Sequence, residues 1–275
     1  MQQTKGKLYL IPTPIGNLSD VSTRQKEAFE LVDYVACEDT RNTKKLLQLL
    51  GIQKPFFSCH EHNEQTASET IINDLLAGKN VGYSSDAGLP CISDPGMLLV
   101  MKAAQNGITI VPLPGANAAL TCLMASGLDT THFYFYGFLD SRISKKETEL
   151  EGLKDIKDTI IFYESPHRID ETLSSLYKVL GDRKITIGRE LTKVHEEFIR
   201  TNLKDLIENP IEFRGEMVLC VEGNTREENQ IDLAEIDKKI DELIELGLTK
   251  KDAIIAISHL LNISKNELKK LRMKK

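Results

Sequence analysis

Carboxylates and guanidinium groups stand together in two short segments of this chain. Glu38, Asp39 and Arg41 fall within the sequence CEDTR, and Glu164 and Arg168 fall within YESPHR. A positioned carboxylate can accept a proton during a reaction, and an arginine side chain is suited to binding phosphate. The two segments therefore predict a polar, charged site, although the alternative for Asp39 is that it caps the start of a helix.

The sequence SSDAGLPCISDPG, from Ser84 to Gly96, is the longest stretch of small, polar and turn-forming residues in the chain. Asp86 could accept hydrogen bonds from a ribose diol or an amino group, because no helix start is expected within its reach. Asp94 is followed by proline and glycine, which is typical of a helix N-cap. We therefore predict a ligand-binding role for Asp86 and a structural role for Asp94.

Two further loops combine proline, glycine and small residues. They are PTPIG, from Pro12 to Gly16, and PLPGANAAL, from Pro112 to Leu120. Proline stiffens the backbone, and glycine permits a tight turn or the close approach of a ligand. Small residues at a helix start would let a flat ligand lie against the backbone.

The chain lacks the glycine spacings of the common nucleotide-binding loops. No G-x-G occurs, which excludes the dinucleotide fingerprint and the glycine-rich loop of single-sheet methyltransferases. There is also no P-loop, no G-x-S-x-G elbow and no HExxH motif. A bound nucleotide must therefore be held by loops of another kind.

The segment CHEH, from Cys59 to His62, is the one plausible set of metal ligands. Adjacent ligands on an irregular segment rarely complete a four-ligand site, and no second pair stands at a usual zinc spacing. We therefore expect no metal and interpret His60 and His62 either as polar contacts to a substrate or as part of the loop structure.

Short β-branched and aromatic runs alternate with helical patterns, which predicts βαβ units and mostly parallel sheets. The T-x-x-E sequence from Thr66 to Glu69 predicts a helix start. Ligands of open α/β sheets bind at the carboxyl ends of strands, so the loops above are expected to form one cleft. The predicted strands are Lys7–Pro12, Tyr34–Glu38, Asn80–Ser85, Thr109–Pro112, His132–Gly137, Thr159–Glu164, Lys184–Arg189 and Glu216–Glu222.

The length of 275 residues and the element order predict two α/β domains, residues 1–120 and 121–225, with a cleft between them. The polar segment GNTREEN then leads into a helical unit at residues 230–275. Ile236, Ile240, Leu243 and Ile244 are predicted to share one helix face. Thr249–Asp252 and Ser264–Glu267 predict two further helix starts, so the unit resembles a helix-turn-helix.

The charge of the chain is unevenly distributed. The net charge is −6, yet the segment from Leu248 to Lys275 carries +6 and the remainder −12. Such asymmetry indicates a polyanion-binding appendage, and the alternative is a solvated basic helix end.

The composition is that of a globular protein without a membrane span. No apolar stretch approaches the ~18–20 residues that a membrane helix needs, and the N-terminal residues have no signal-peptide pattern. The five cysteines are odd in number and widely spaced, which indicates free thiols. We therefore expect a cytoplasmic protein with no membrane partner.

Eight motifs, in order from about Lys7 to Gly223, resemble a bacterial family within the tetrapyrrole-methylase-like (class III) superfamily. Members of this family methylate the ribose 2′-oxygen of a cytidine in the decoding centre of 16S rRNA. The basic helical tail fits the C-terminal extension of the family. The motifs are LIPTPIGNLSDVSTR, CEDTR, HEHNE, SDAGLPCISDPG, VPLPGANAALTCLMASGL, FYFYGFL, YESPHR and RELTKVHEE.

The resemblance implies S-adenosylmethionine in a cleft between two α/β domains, usually in a homodimer, with 16S rRNA, in the small ribosomal subunit, as the substrate. It places the cofactor against Pro14, Ile15, Asp86, Ala87, Gly88, Ile92, Asn117, Ala118, Tyr163, Glu216 and Met217. The candidates for catalysis are Glu38, Asp39, Arg41 and Glu164. The candidates for RNA contact are Arg41, His60, His62, Arg168, Lys250, Lys251, Lys269, Lys270 and Arg272.

Two other functions are alternatives. Methylation of a tetrapyrrole ring carbon would fit the superfamily, but it would leave the charged segments and the basic tail without a purpose. A non-enzymatic helix-turn-helix regulator would leave the polar loops of the first 223 residues unexplained.

Overall fold

The structure is a computed structural model that describes residues 4–225 and 233–260, with side chains from residue 236 onward in the second range. The chain divides into two compact units, Met1–Asn224 and Thr225–Lys275. In the described ranges, no helix combines the length and the apolar character needed to cross a membrane.

The first sheet of the larger unit has five strands, and all of them are parallel. Their order across the sheet is β3-β2-β4-β1-β5. The carboxyl ends of parallel strands lie at one edge, so the loops that follow the strands are neighbours. The strands are β1 (Lys7–Leu10), β2 (Tyr34–Cys37), β3 (Phe56–Ser58), β4 (Val81–Ser84) and β5 (Thr109–Pro112).

Helices cover both faces of this sheet with apolar side chains. Phe29 and Leu47, from α1 and α2, lie in one core cluster, and Ile71 and Leu99, from α3 and α4, lie in another. This double burial explains why the strands are short apolar runs rather than alternating ones. The helices are α1 (Thr23–Leu31), α2 (Thr40–Leu49), α3 (Glu64–Leu76) and α4 (Met97–Gln105), with a short 3-10 helix at Leu18–Asp20.

The second sheet has the order β6-β7-β10-β8-β9. Its strands are β6 (Phe133–Phe138), β7 (Thr159–Glu164), β8 (Lys184–Arg189), β9 (Glu197–Asn202) and β10 (Met217–Val221). Its helices are α5 (Ala118–Ser126), α6 (Ile143–Leu153), α7 (Ile169–Leu180) and α8 (Leu203–Glu208).

The prediction of mostly parallel sheets holds for the first sheet and is wrong for the second. Only β6 and β7 pair in parallel, whereas β10 runs antiparallel to both of its neighbours and β8 runs antiparallel to β9. The connection between β8 and β9 is short, and a short connection can join only antiparallel neighbours.

All eight predicted strands are present, and two strands were not predicted. The missed strands are β3, which has three residues, and β9, an edge strand whose sequence EFIRTN has only two apolar residues. The predicted helix start at Thr66 is wrong, because α3 begins at Glu64. The α/β class of the fold is confirmed.

The smaller unit contains two helices in its described part, α9 (Leu233–Glu245) and α10 (Lys250–Leu260). Ile236 and Ile240 are buried as predicted and pack against α10. The predicted cap at Thr249 is confirmed, because its Oγ1 accepts from the N–H of Asp252 at 3.2 Å and donates to that carboxylate at 2.6 Å. The predicted helix start at Ser264–Glu267 lies outside the described residues.

Candidate active site

A cavity of about 390 Å³ lies where the carboxyl edge of the first sheet meets β7 and β10 of the second sheet. Of the eleven predicted cofactor contacts, only Pro14 does not line this cavity. The residues from that set that do line it are Ile15, Asp86, Ala87, Gly88, Ile92, Asn117, Ala118, Tyr163, Glu216 and Met217.

Two loops of the first sheet are joined at the cavity by backbone hydrogen bonds. Thr13 and Gly88 exchange both of their N–H···O bonds, at 2.9 and 3.0 Å. Gly88 has a φ of +80°, and a Cβ on it would lie 3.3 Å from Ile15 Cγ2. This position therefore favours glycine both for its backbone conformation and for the close packing of the two loops.

The loop before α5 forms another side of the cavity. Asn117 is the N-cap of this helix, because its side-chain oxygen accepts from the N–H of Leu120 at 2.8 Å. Capping accounts for the residue type at 117, and the small Ala118 that follows leaves room for a ligand beside the helix start.

The opposite wall of the cavity comes from adjacent strands of the second sheet. In the register of β7 and β10, Tyr163 faces Val218 and Glu164 faces Met217. The Tyr163 ring packs against Phe138 at 5.4 Å between ring centroids, and burial raises the pKa of its hydroxyl. Tyr163 is therefore a neutral, largely apolar wall at physiological pH.

Glu164 lines the cavity, but both of its carboxylate oxygens have partners in the fold. Oε2 accepts from Thr172 Oγ1 at 2.5 Å, and Oε1 accepts from the N–H of Ser165 at 2.8 Å. Thr172 Oγ1 in turn accepts from the buried Lys146 at 3.0 Å. The arrangement supports a role for Glu164 in holding the cavity wall.

Arg168 also makes its contacts inside the fold. Its Nη2 donates to the carbonyl of Leu139 at 2.6 Å, and its Nε lies 3.5 Å from Glu164 Oε1. The predicted RNA contact of Arg168 has no support in this geometry, because the guanidinium fixes the segment after β6.

Asp39 caps α2 and is paired with Arg41. Its Oδ1 accepts from the N–H of Arg41 at 2.8 Å, and its Oδ2 lies 2.6 Å from the Arg41 guanidinium. These hydrogen bonds hold the pKa of Asp39 down at about 2. The capping alternative is therefore the role that the structure shows for Asp39, while the Arg41 side chain stays 88% exposed.

The expectation that no helix start lies near Asp86 is wrong. Its Oδ1 accepts from the N–H of Asp39 at 3.2 Å, and its Oδ2 accepts from Asn42 Nδ2 at 2.9 Å. Asp86 thus joins the start of α2 to the cavity, a contact that local sequence could not show because it spans more than forty residues.

Glu38, His60 and His62 lie at the same edge of the first sheet but do not line the cavity. Burial and the nearby Asp86 carboxylate raise the pKa of Glu38. The two histidine rings are 6.0 Å apart, on the loop that follows β3. Whether these residues contact a substrate stays a prediction.

Asp94 lines the cavity, and its predicted role as an N-cap is wrong. Helix α4 begins at Met97, and the carboxylate of Glu64 accepts from the N–H groups of Gly96 and Leu98 at 2.9 and 3.0 Å. Burial, then the carboxylates of Glu38 and Asp86, raise the pKa of Asp94 to about 6. Nothing in the sequence indicated that Asp94 lines the cavity, because Asp-Pro-Gly is typical of a helix N-cap.

The RNA contacts predicted in the smaller unit lie partly within the structure. Lys250 and Lys251 are exposed on the first turn of α10. Lys269, Lys270 and Arg272 lie outside the described residues. Throughout residues 4–225 and 236–260, no three histidine, cysteine or acidic side chains meet in a group that could hold a metal ion.

Comparison with known proteins identifies the family. A model of the Tetrapyrrole (Corrin/Porphyrin) Methylases matches residues 7–207. A protein of Bacillus subtilis called ribosomal RNA small subunit methyltransferase I is 47% identical over 272 residues, which cover 96% of this chain and 92% of that protein. The Haemophilus influenzae protein of the same name is 42% identical over 273 residues, which cover 98% of this chain and 96% of that protein. The chain belongs to the ribosomal RNA small subunit methyltransferase I family. The predicted enzyme class, a methyltransferase, is thereby confirmed.

Solved structures share the fold of this ribosomal RNA methyltransferase family. Cobalt precorrin-4 methyltransferase superposes with a TM-score of 0.57 at 18% identity and covers 78% of this chain and 94% of its own. Uroporphyrin-III C-methyltransferase of Thermus thermophilus, complexed with S-adenosyl homocysteine, superposes with a TM-score of 0.57 at 15% identity. The match covers 79% of this chain and 97% of that one. Diphthine synthase superposes with a TM-score of 0.62 at 13% identity, and the match covers 79% of this chain and 90% of that one.

Proposed function

We propose that this chain transfers a methyl group from S-adenosylmethionine to the ribose 2′-oxygen of a cytidine in the 16S rRNA of the small ribosomal subunit. The observation that carries the proposal is the cavity at the carboxyl edge of the first sheet. Ten residues placed at the cofactor by resemblance line that one cavity, although they come from distant parts of the sequence.

The size and chemistry of the cavity fit S-adenosylmethionine. A volume of about 390 Å³ lies in the range of small-molecule sites, which is about 300–1,000 Å³. The Asp86 carboxylate can accept hydrogen bonds from a ribose diol or an amino group. Gly88 brings backbone close to the ligand, and the apolar wall of Tyr163 and Met217 can cover a flat ring.

The relatives support RNA as the substrate. Proteins that share 47% and 42% identity with nearly the whole of this chain are named for the small-subunit ribosomal RNA. The exposed Arg41 guanidinium, beside the cavity, can bind a phosphate next to the target nucleotide. An unpaired nucleotide suits such a site, because a paired RNA helix presents its edges poorly to side chains.

The chain contributes mainly position and electrostatics to the reaction. S-adenosylmethionine would supply a methyl group on a positively charged sulfur. The loops joined through Thr13 and Gly88 would hold the cofactor on one side, and β7 and β10 form the opposite wall of the cavity. Glu38 and Asp86 add negative charge at the side where the ribose would enter.

We extend the proposal to a cytoplasmic homodimer that acts on the assembled small subunit. Free thiols and the absence of a membrane-spanning helix in the described ranges support the location. The homodimer and the assembled subunit are carried over from the family resemblance.

A labelling experiment tests the proposal. The protein is incubated with radiolabelled S-adenosylmethionine and, in separate reactions, assembled small subunits, naked 16S rRNA or a tetrapyrrole precursor. We expect label in the small subunit, and none in an otherwise identical RNA with 2′-deoxycytidine at the target. Label on the deoxy substrate would move the methyl group to a base, and label on the tetrapyrrole alone would contradict the RNA assignment.

A further inference from the structure

We propose that Asp94 is the general base that accepts the proton of the ribose 2′-hydroxyl during methyl transfer. This inference rests on the proposed function and adds the proton acceptor to it. The carboxylate lines the cavity, on the loop between β4 and α4.

The loop that carries Asp94 is fixed between the two sheets. Cys91 and Ser93 have φ values of +70° and +59°, a conformation that favours glycine, and such conformations persist only where the surroundings enforce them. A Cβ on Gly137 of β6 would lie 2.8 Å from Ser93 Oγ, and one on Gly96 would clash with the Tyr83 ring. The loop is therefore held against both the first and the second sheet.

The other carboxylates near the cavity already accept hydrogen bonds from the fold, and Asp86 is in addition assigned to the cofactor. Glu164 has hydrogen bonds on both oxygens, Asp86 binds the start of α2 through both oxygens, and Asp39 is paired with Arg41. Glu38 does not line the cavity. Within the part of the chain that the structure describes, Asp94 forms no ion pair and shares a side-chain hydrogen bond with Ser85, so its carboxylate can accept a further hydrogen bond from a substrate.

The surroundings of Asp94 suit proton transfer near neutral pH. Two carboxylates face Asp94: Glu38 at the end of β2 and Asp86 in the loop after β4. Two neutral groups also face it: the thiol of Cys91 in the same loop and the hydroxyl of Tyr163 on β7. The burial and the two carboxylates raise its pKa to about 6, and a hydrogen bond with Ser85 opposes this. A base with a pKa just below the working pH is ionised and still holds a proton well.

The proposed step is balanced. The 2′-oxygen forms a bond to the methyl carbon as the carbon–sulfur bond breaks, and the electron pair of that bond stays on sulfur. The hydroxyl proton passes to Asp94, which then releases it to water. No oxidant or reductant is required.

The test is the pH dependence of methyl transfer to the small subunit by the full chain. We expect the wild-type rate to rise with pH, with a midpoint at or below about pH 6. The midpoint can lie below 6 because the positive sulfur of the cofactor lowers the pKa of a nearby carboxyl. Asp94→Asn should remove this rise and lower kcat by about 100- to 10,000-fold. Its Kd for S-adenosylmethionine by calorimetry should stay within about threefold, which a collapsed loop would not allow.

A second variant probes the same group without touching it. Glu38→Gln removes a negative charge that raises the pKa of Asp94, so the rise should move to lower pH. The assignment would be overturned if the rise of the rate with pH occurred at the same pH in Glu38→Gln as in wild type, or if Asp94→Asn still showed that rise. An Asp94→Asn kcat within threefold of wild type would also overturn it. If wild-type protein labels no RNA, the proposed function itself fails.

Discussion

Asp86 joins two parts of the molecule at the edge of the cavity, and the consequence for cofactor binding can be measured. Asp86→Ala should raise the Kd for S-adenosylmethionine at least tenfold, about 1.4 kcal/mol, because a carboxylate that accepts cofactor hydrogen bonds is lost. Asn42→Ala is the matched control, since it removes the 2.9 Å contact with α2 and keeps the carboxylate. Calorimetry that gives equal affinities for Asp86→Ala and the control would remove Asp86 from the cofactor site.

A comparison of two glycines tests whether the loop of Gly88 contacts the cofactor. Gly88 and Gly127 have φ values of +80° and +77°, but a Cβ meets Ile15 at 3.3 Å only at residue 88. Each alanine variant should lose about 1–2 kcal/mol of unfolding free energy from its left-handed backbone. In denaturant unfolding and calorimetry, only Gly88→Ala should also weaken cofactor binding. Equal cofactor affinity in both variants would contradict the placement of the Gly88 loop against the ligand.

Single residues were predicted well where their role depends on nearby sequence. Thr249 was placed correctly as a cap because its partner is three residues away. Asp94 was misassigned because the cap of α4 is supplied by Glu64, thirty residues earlier in the chain. Long-range partners of this kind leave no local pattern in a single sequence.

At the scale of helices, a buried lysine holds α6 against α7. Lys146 is fully buried and binds Glu171 at 2.6 Å and Thr172 at 3.0 Å. Lys146→Met should lower the free energy of unfolding by about 1–3 kcal/mol, because buried hydrogen-bonding groups lose their partner. The exposed pair of Lys178 and Glu147, at 2.8 Å, is the control, and Lys178→Met should cost about 0–1 kcal/mol. Urea unfolding that ranks the two variants in the opposite order would contradict this role.

Strand positions could be predicted from sequence, but strand directions could not. The eight predicted strands follow from apolar runs, which mark burial rather than orientation. Nothing in the residues of β10 states that it enters the sheet between β7 and β8, since that place is set by packing with the rest of the sheet. The missed β9 is an edge strand with only two apolar residues and no fully buried side chain, so its apolar signal is weak.

At the scale of the whole molecule, the basic segment from Leu248 to Lys275 is expected to add affinity for RNA without base specificity. Lys250→Ala together with Lys251→Ala should reduce the slope of log K against log salt concentration by about 1.4–1.8, at about 0.7–0.9 per phosphate contact. Lys7→Ala is the control, because this exposed lysine begins β1 at the edge opposite the cavity. An unchanged slope in the double variant, measured by filter binding at several salt concentrations, would assign these lysines a structural role.

The overall organisation could be predicted from the sequence further than its chemistry. The family motifs contain eight of the ten predicted cofactor residues that line the cavity, so the resemblance grouped residues that are distant in the sequence. The catalytic arrangement depends on which carboxylates are already occupied. Hydrogen bonds such as those of Glu164 and Asp86 are visible only in three dimensions.

The position of β10 sets the moment at which the cavity can first exist. Met217 and Val218 line the cavity, yet they belong to the last strand of the larger unit to be synthesised, and this strand lies in the middle of its sheet. While the nascent chain is shorter than about 220 residues, β7 and β8 have no strand between them and one cavity wall is missing. The cofactor can therefore be captured only late in translation, after the chain through β10 has left the ribosome that makes it.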